Sequence, residues 1–183
     1  MAVANSEIFS DSITIQGISS KPTAMGGLSS RASTIVAKSI YASSLDPGLH
    51  FYPVPQGSSV LNVSDTLELI DNAGGMIVEF TQSNPKPVII NTGKFNATSN
   101  GNWPIDSSKA YATETGGISM LNSPTGNLEG VKLLEINSDS ILFKNNKAVR
   151  GGAISYTVPF SLNSPSITFE GNVASVLFSG PQF

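Results

Sequence analysis

From Leu49 onward the chain alternates apolar and polar residues, or gathers apolar ones in short runs, and Gly, Pro, Asn and Ser separate these stretches. A period of two belongs to a strand with one buried face. The pattern predicts strands at 49–54, 59–63, 66–70, 76–80, 87–91, 117–121, 131–136, 140–143, 153–158, 166–169 and 174–178. Ser83-Asn84-Pro85-Lys86-Pro87 and Asn100-Gly101-Asn102-Trp103-Pro104 break the pattern, because proline offers no ladder donor and Asn-Gly favours positive φ. Before the turn signal Asp46-Pro47-Gly48 the texture differs, with Ser, Ala and Gly interrupting any long period. Residues 1–45 are therefore expected as an irregular N-terminal arm or cap, with a short helix over 32–42 that turns Ile35, Val36 and Ile40 inward. Residues 46–183 are expected as an all-β domain. Many short strands leave a sandwich, a barrel or a β-solenoid open.

A repeat in the last third favours the solenoid. Phe143-Lys144-Asn145-Asn146 returns 26 residues later as Phe169-Glu170-Gly171-Asn172, a reasonable length for one coil. Ala148 and Ala174 each follow their Asn by two residues, and Gly151-Gly152-Ala153-Ile154 lies between the tetrads. In stacked coils Phe143 would lie on Phe169, while Asn146 and Asn172 would turn inward and bond one another and buried backbone groups. Phe and Asn three apart both face inward only if the chain turns between them, which leaves Lys144 and Lys147 outside. Gly151 and Gly152 would permit a tight positive-φ corner too crowded for a β-carbon, with Ala153 in the same corner and Ile154 opening the next inward row. Weaker echoes stand at Gly74-Gly75-Met76-Ile77 and Gly116-Gly117-Ile118, at irregular intervals of 42 and 35 residues, so the coils carry insertions.

Phe143-x-x-Asn146-x-Ala148-x-x-Gly151-Gly152-Ala153-Ile154 resembles the paired Phe-x-x-Asn and Gly-Gly-Ala-(Ile/Leu/Val) repeats of the chlamydial polymorphic membrane proteins, which are autotransporter passengers. The resemblance covers mainly residues 140–174. It implies a right-handed parallel β-helix, display at the cell surface or outer membrane, and adhesion to a host-cell surface protein or glycan.

Composition narrows the chemistry. Charged residues are 13% of the 183, against an ordinary ~25%. A net charge of -3 offers no basic field to gather phosphates, so nucleic acid is not an expected partner. With no cysteine and one histidine, His50, thiolate and two-histidine metal sites and most histidine-centred catalysis are excluded. No apolar run is long enough to span a bilayer as a helix, and the opening residues carry neither a basic nor an apolar leader region. Ser83-Asn84-Pro85-Lys86 fits Ser-x-x-Lys, but its prolines deny the helix that would bring the lysine to the serine. Asp65, Glu68 and Asp71 read as a strand's solvent face and its turns, and Glu129, Lys132 and Glu135 as decoration of another strand. His50 reads as a packed or surface histidine. Asn62-Val63-Ser64 and Asn96-Ala97-Thr98 fit a glycosylation sequon, and Phe183 imitates the terminal aromatic of outer-membrane barrels behind a spoiling Gly180-Pro181.

Trp103 among Asn100 and Asn102 is the candidate contact for a glycan or partner, an indole plate beside amides that bond hydroxyls. No catalytic, cofactor or metal residue is expected. The chain thus reads as a non-enzymatic, secreted or surface-displayed interaction domain. The alternative is a self-assembling fibre or particle subunit with a sandwich or jelly-roll fold, for which a homo-oligomer is expected. A carbohydrate-active β-helix enzyme comes third.

Overall fold

A computed structural model of the chain describes residues 1–17, 27–101, 116–125, 130–149 and 151–174. Among them every regular element is a strand. One six-stranded sheet takes β1 (Ala2–Ala4), β3 (Leu28–Arg31), β5 (Leu49–Phe51), β7 (Met76–Glu79), β9 (Ile118–Leu121) and β12 (Ile154–Ser155) in that order. The larger sheet stacks β2 (Glu7–Gln16), β4 (Thr34–Ser43), β6 (Ser59–Ile70), β8 (Val88–Thr98) and β10 (Leu134–Lys144), and both β13 (Phe160–Asn163) and β14 (Ile167–Glu170) pair with β10. A two-residue pair, β11 (Lys147–Ala148) with β15 (Val173–Ala174), completes the set. Through β10 successive strands alternate between the two large sheets, so the chain winds coil upon coil in a β-helix-like solenoid.

Among the described residues every pairing between these strands is parallel, as in Ile8↔Ile35, Ile35↔Leu61, Leu61↔Ile90 and Ile90↔Ile136. This excludes the expected alternative, since sandwiches and jelly rolls are built from antiparallel strands. Parallel pairing also explains the inward rows of like residues. Ile13, Ile40, Leu67, Phe95, Ile141 and Ile167 lie in register one above another, and the four inner members are at most 1% exposed. Each such aliphatic side chain contributes about 1.5–3 kcal/mol when fully buried.

The long strands bend. In β8 the inward positions are Val88, Ile90 and Thr92 and then Phe95 and Ala97; in β10 they are Leu134, Ile136 and Ser138 and then Ile141 and Phe143. The alternation slips by one residue at Gly93-Lys94 and at Asp139-Ser140, and a register shift between Val63 and Thr66 marks the same level of β6. The slip marks a corner of the coil. The last full coil breaks there into β13 and β14, around Ser164-Pro165-Ser166.

The N-terminal expectation requires correction. Residues 1–17 and 27–45 supply β1 to β4, and the segment expected as a short helix over 32–42 lies in the ten-residue strand β4. Ile35, Ala37, Ile40 and Ala42 face the core with the same mid-strand slip, while Val36 stays on the outer face. Serine at outward positions of a parallel sheet satisfies strand geometry without lending the segment an apolar period. The expected pairs of strands at 59–63 with 66–70, and at 131–136 with 140–143, each form one bent strand. The strand expected over 174–178 has only its first residue, Ala174, among those described, and Phe183 and Glu129 also lie outside them.

Candidate functional site

The repeat residues of the last two coils stack on one another. Phe143 pairs in register with Phe169, and the two rings lie nearly parallel, 8° apart in plane with centroids 5.1 Å apart. On its other side Phe143 meets Phe95 at 5.7 Å, tilted by 49°. After each Phe the chain must bring an Asn to the same interior, and a left-handed residue does so: Asn145 has φ 54° and Gly171 has φ 61°. Ser44, Asp71 and Ser99 hold the same conformation at the equivalent turns of earlier coils. Asn, Asp, Ser and Gly suit this position because a small or locally bonding side chain tolerates positive φ. Lys144 points outward to pair with Glu170 at 2.9 Å, and Lys147 is exposed.

The buried asparagines form a ladder longer than the repeat foretold. Asn146 Nδ2 donates to Asn172 Oδ1 at 2.9 Å and to the Ala97 carbonyl at 2.8 Å, while the Asn146 backbone N–H donates to the same Asn172 Oδ1 at 3.1 Å. Asn100 repeats this upon Asn146, with Nδ2 to Oδ1 at 3.0 Å, backbone N–H to Oδ1 at 3.1 Å and Nδ2 to the Leu69 carbonyl at 2.9 Å. Asn72 does the same upon Asn100 and the Ala42 carbonyl, and its own Oδ1 accepts from Leu45 N–H at 3.1 Å. Asn72, Asn100 and Asn146 are 0% exposed, so these bonds answer groups that water cannot reach. The members stand 28, 46 and 26 residues apart, the long interval holding an insertion.

Opposite the ladder runs a row of small residues: Gly27, Gly48, Gly75, Gly117 and Ala153, each carbonyl after the first accepting the N–H that follows its neighbour in the row. A β-carbon on Gly117 would lie 2.7 Å from Phe143 Cδ1, and one on Gly48 2.9 Å from Asn72 Nδ2. The glycines are thus required by close approach. Only Gly151 of the expected Gly-Gly corners adopts positive φ, at 59°, while Gly152 does not; Ile154 is partly buried against the core and pairs with Ile118.

Sequence reasoning misplaced Asn100: it sits inside the ladder, closed to a glycan. Trp103 and Asn102, its companions in the expected contact loop, lie outside the described residues. A second amide ladder escaped notice. Asn163 donates to Asn137 at 2.7 Å, Asn137 to Asn91 at 2.8 Å and Asn91 to Asn62 at 2.8 Å, along the outer face of the larger sheet. Ser83 Oγ bonds Thr125 Oγ1 at 2.9 Å on the surface.

His50 belongs to a small polar cluster. Its Nε2 lies 3.1 Å from Glu79 Oε2 and its Nδ1 3.0 Å from Tyr52 Oη. A carboxylate accepts, so Nε2 carries the proton in the neutral ring and Tyr52 donates to Nδ1. Burial lowers the imidazole below its ordinary pKa of 6.5, against the opposing pull of Glu79 and Asp46. The two ring nitrogens point to different partners, so the cluster holds no chelating set, and no group of three His, Cys, Asp or Glu suited to a metal occurs among the described residues.

Residues 140–157 match the Chlamydia polymorphic membrane protein repeat. That segment spans the corner and second half of β10, the Phe143 and Asn146 tetrad, and Gly151 to Ile154. Phe169 and Asn172 lie beyond it, yet they repeat its geometry one coil later. No curated protein and no solved structure matches the chain. The repeat is that of a surface-associated, autotransporter-type outer-membrane family in Chlamydia.

Proposed function

We propose that the chain is a surface-displayed or secreted interaction domain, a non-enzymatic adhesin that binds a host-cell surface protein or glycan. The observation that carries this reading is the coincidence of the matched segment with the stacked Phe and Asn tetrad of β10. The rest of the geometry supports it. Consecutive coils build long flat faces from in-register rows, and such faces suit extended binding to a partner. We read the winding as right-handed, since parallel crossover connections overwhelmingly take that hand. An experimental backbone trace tests the hand.

Adhesion is tested with beads coated with the purified chain and offered to cultured epithelial cells. Saturable attachment, competed away by free chain, is expected. Attachment no greater than that of albumin-coated beads overturns the reading. A closed ring or filament by mass measurement, without cell binding, would favour an assembly role instead.

A further inference from the structure

Asn100 and Gly101 form the one Asn-Gly pair in the sequence. The fold requires both members. Asn100 is a rung of the buried ladder, and Gly101 has φ +79°, a conformation that side chains resist. This dipeptide is also the one most prone to lose its amide, because a residue without a β-carbon leaves its nitrogen free to attack the preceding side chain. At the other rungs the following residues are Ala73, Lys147 and Val173, whose β-carbons hinder that attack.

We propose that Asn100-Gly101 is a conformation-gated deamidation site which makes loss of the coil irreversible. In the reaction the deprotonated Gly101 nitrogen attacks Asn100 Cγ, and a five-membered succinimide forms as ammonia leaves. Water then opens the ring at either carbonyl, giving aspartate or isoaspartate. The folded coil blocks each requirement. The Gly101 N–H is held by the Asn72 carbonyl at 2.8 Å, which disfavours its deprotonation and its swing toward Cγ. The Asn100 amide is fixed by donation to Leu69 O and Asn146 Oδ1 and by acceptance from Asn72 N and Nδ2. The side chain is 0% exposed, so water to open the ring is absent. An unfolded or opened coil releases all three restraints together.

The product does not fit back. Aspartate can still accept from Asn72, but its second oxygen takes the place of Nδ2 and faces two acceptors, Leu69 O and Asn146 Oδ1, with no proton to share. A buried carboxylate oxygen that faces only acceptors is strongly disfavoured. Isoaspartate adds a backbone atom and moves the rows of one coil out of register with its neighbours. A chain that has lost its coil for long enough is therefore marked and prevented from re-forming it.

The test incubates the intact protein at mildly alkaline pH, folded in buffer and unfolded in urea, and follows each asparagine by peptide mass spectrometry. Conversion at Asn100 is expected at least tenfold faster in urea, and faster there than at Asn72, Asn146 or Asn172. After dilution from urea the converted fraction should fail to regain the parent's unfolding midpoint. Asn100→Asp, which is the linear product, should show a lowered midpoint or no cooperative transition at neutral pH. Equal conversion of folded and unfolded chains overturns the proposal, as does conversion in urea that favours another rung. An unchanged midpoint in converted chains or in Asn100→Asp overturns it equally.

Discussion

Replacing Asn146 by Leu separates a structural ladder from a surface turn. Asn146 is fully buried, and its side chain makes four bonds: Oδ1 accepts from Asn100 N and Nδ2, and Nδ2 donates to Ala97 O and Asn172 Oδ1. Two of the partners keep another bond, since Asn100 Nδ2 still reaches Leu69 O and Asn172 Oδ1 still accepts from Asn146 N–H. The Asn100 backbone N–H and the Asn100 Nδ2 hydrogen that faced Asn146 are left without an acceptor in a dry interior, while the Ala97 carbonyl stays in the β8–β10 ladder. At about 1–3 kcal/mol for each buried group left unsatisfied, the expected loss is about 2–6 kcal/mol. That is a large share of the about 5–15 kcal/mol that holds a typical domain together. Burial of the leucine itself offsets part of this loss, by at most about 1.5–3 kcal/mol. Urea unfolding followed by far-ultraviolet circular dichroism measures the change, with Lys147→Ala as the companion expected to stay within about 0.5 kcal/mol. If the two variants unfold at the same urea concentration, the ladder contributes nothing to stability, and the account of the coil built on it is wrong.

Phe143→Ala should cost about 3–5 kcal/mol, since it removes a fully buried ring and leaves a cavity between Phe95 and Phe169; calorimetry would detect it, and a loss below about 1 kcal/mol would mean that the stack closes over the gap. Gly117→Ala should destabilise by about 1–3 kcal/mol through contact with Phe143 and the Ala153 carbonyl, and a neutral result would show that the small-residue row has slack. His50 has a folded pKa below 6.5, so the unfolded chain binds more protons as the pH falls through the interval beneath that value. Its contribution is complete above about pH 6.5 and declines on acidification down to the folded pKa; the difference in stability between parent and His50→Gln should therefore shrink over that window in pH-dependent urea titrations, and a constant difference would refute the assignment.

What the sequence by itself determined was the chemistry of one coil. Two copies of Phe-x-x-Asn at a spacing equal to the coil length placed Phe143 on Phe169 and Asn146 on Asn172, because parallel stacking converts a sequence period directly into contact. Earlier coils keep the ladder but not the phenylalanine: Leu69 and Ala97 stand before Asn72 and Asn100 where Phe stands later. An apolar residue three before an asparagine is too common to recognise, and the 46-residue interval between Asn100 and Asn146 hides the period. The long strands read as pairs of short ones because the corner shifts the inward phase by one residue, and β2 and β4 lack a legible period because their outward rows mix apolar, charged and small polar residues, Phe9 and Asp11 in one and Val36 and Lys38 in the other. Tertiary structure alone joined His50 to Glu79, which are 29 residues apart and meet only when β5 and β7 stack, and it alone turned Asn100 from a loop amide into a buried rung. A solenoid fixes each side chain's surroundings by the coil above and the coil below, so a local pattern settles which way a residue faces, whereas coil length settles what it meets.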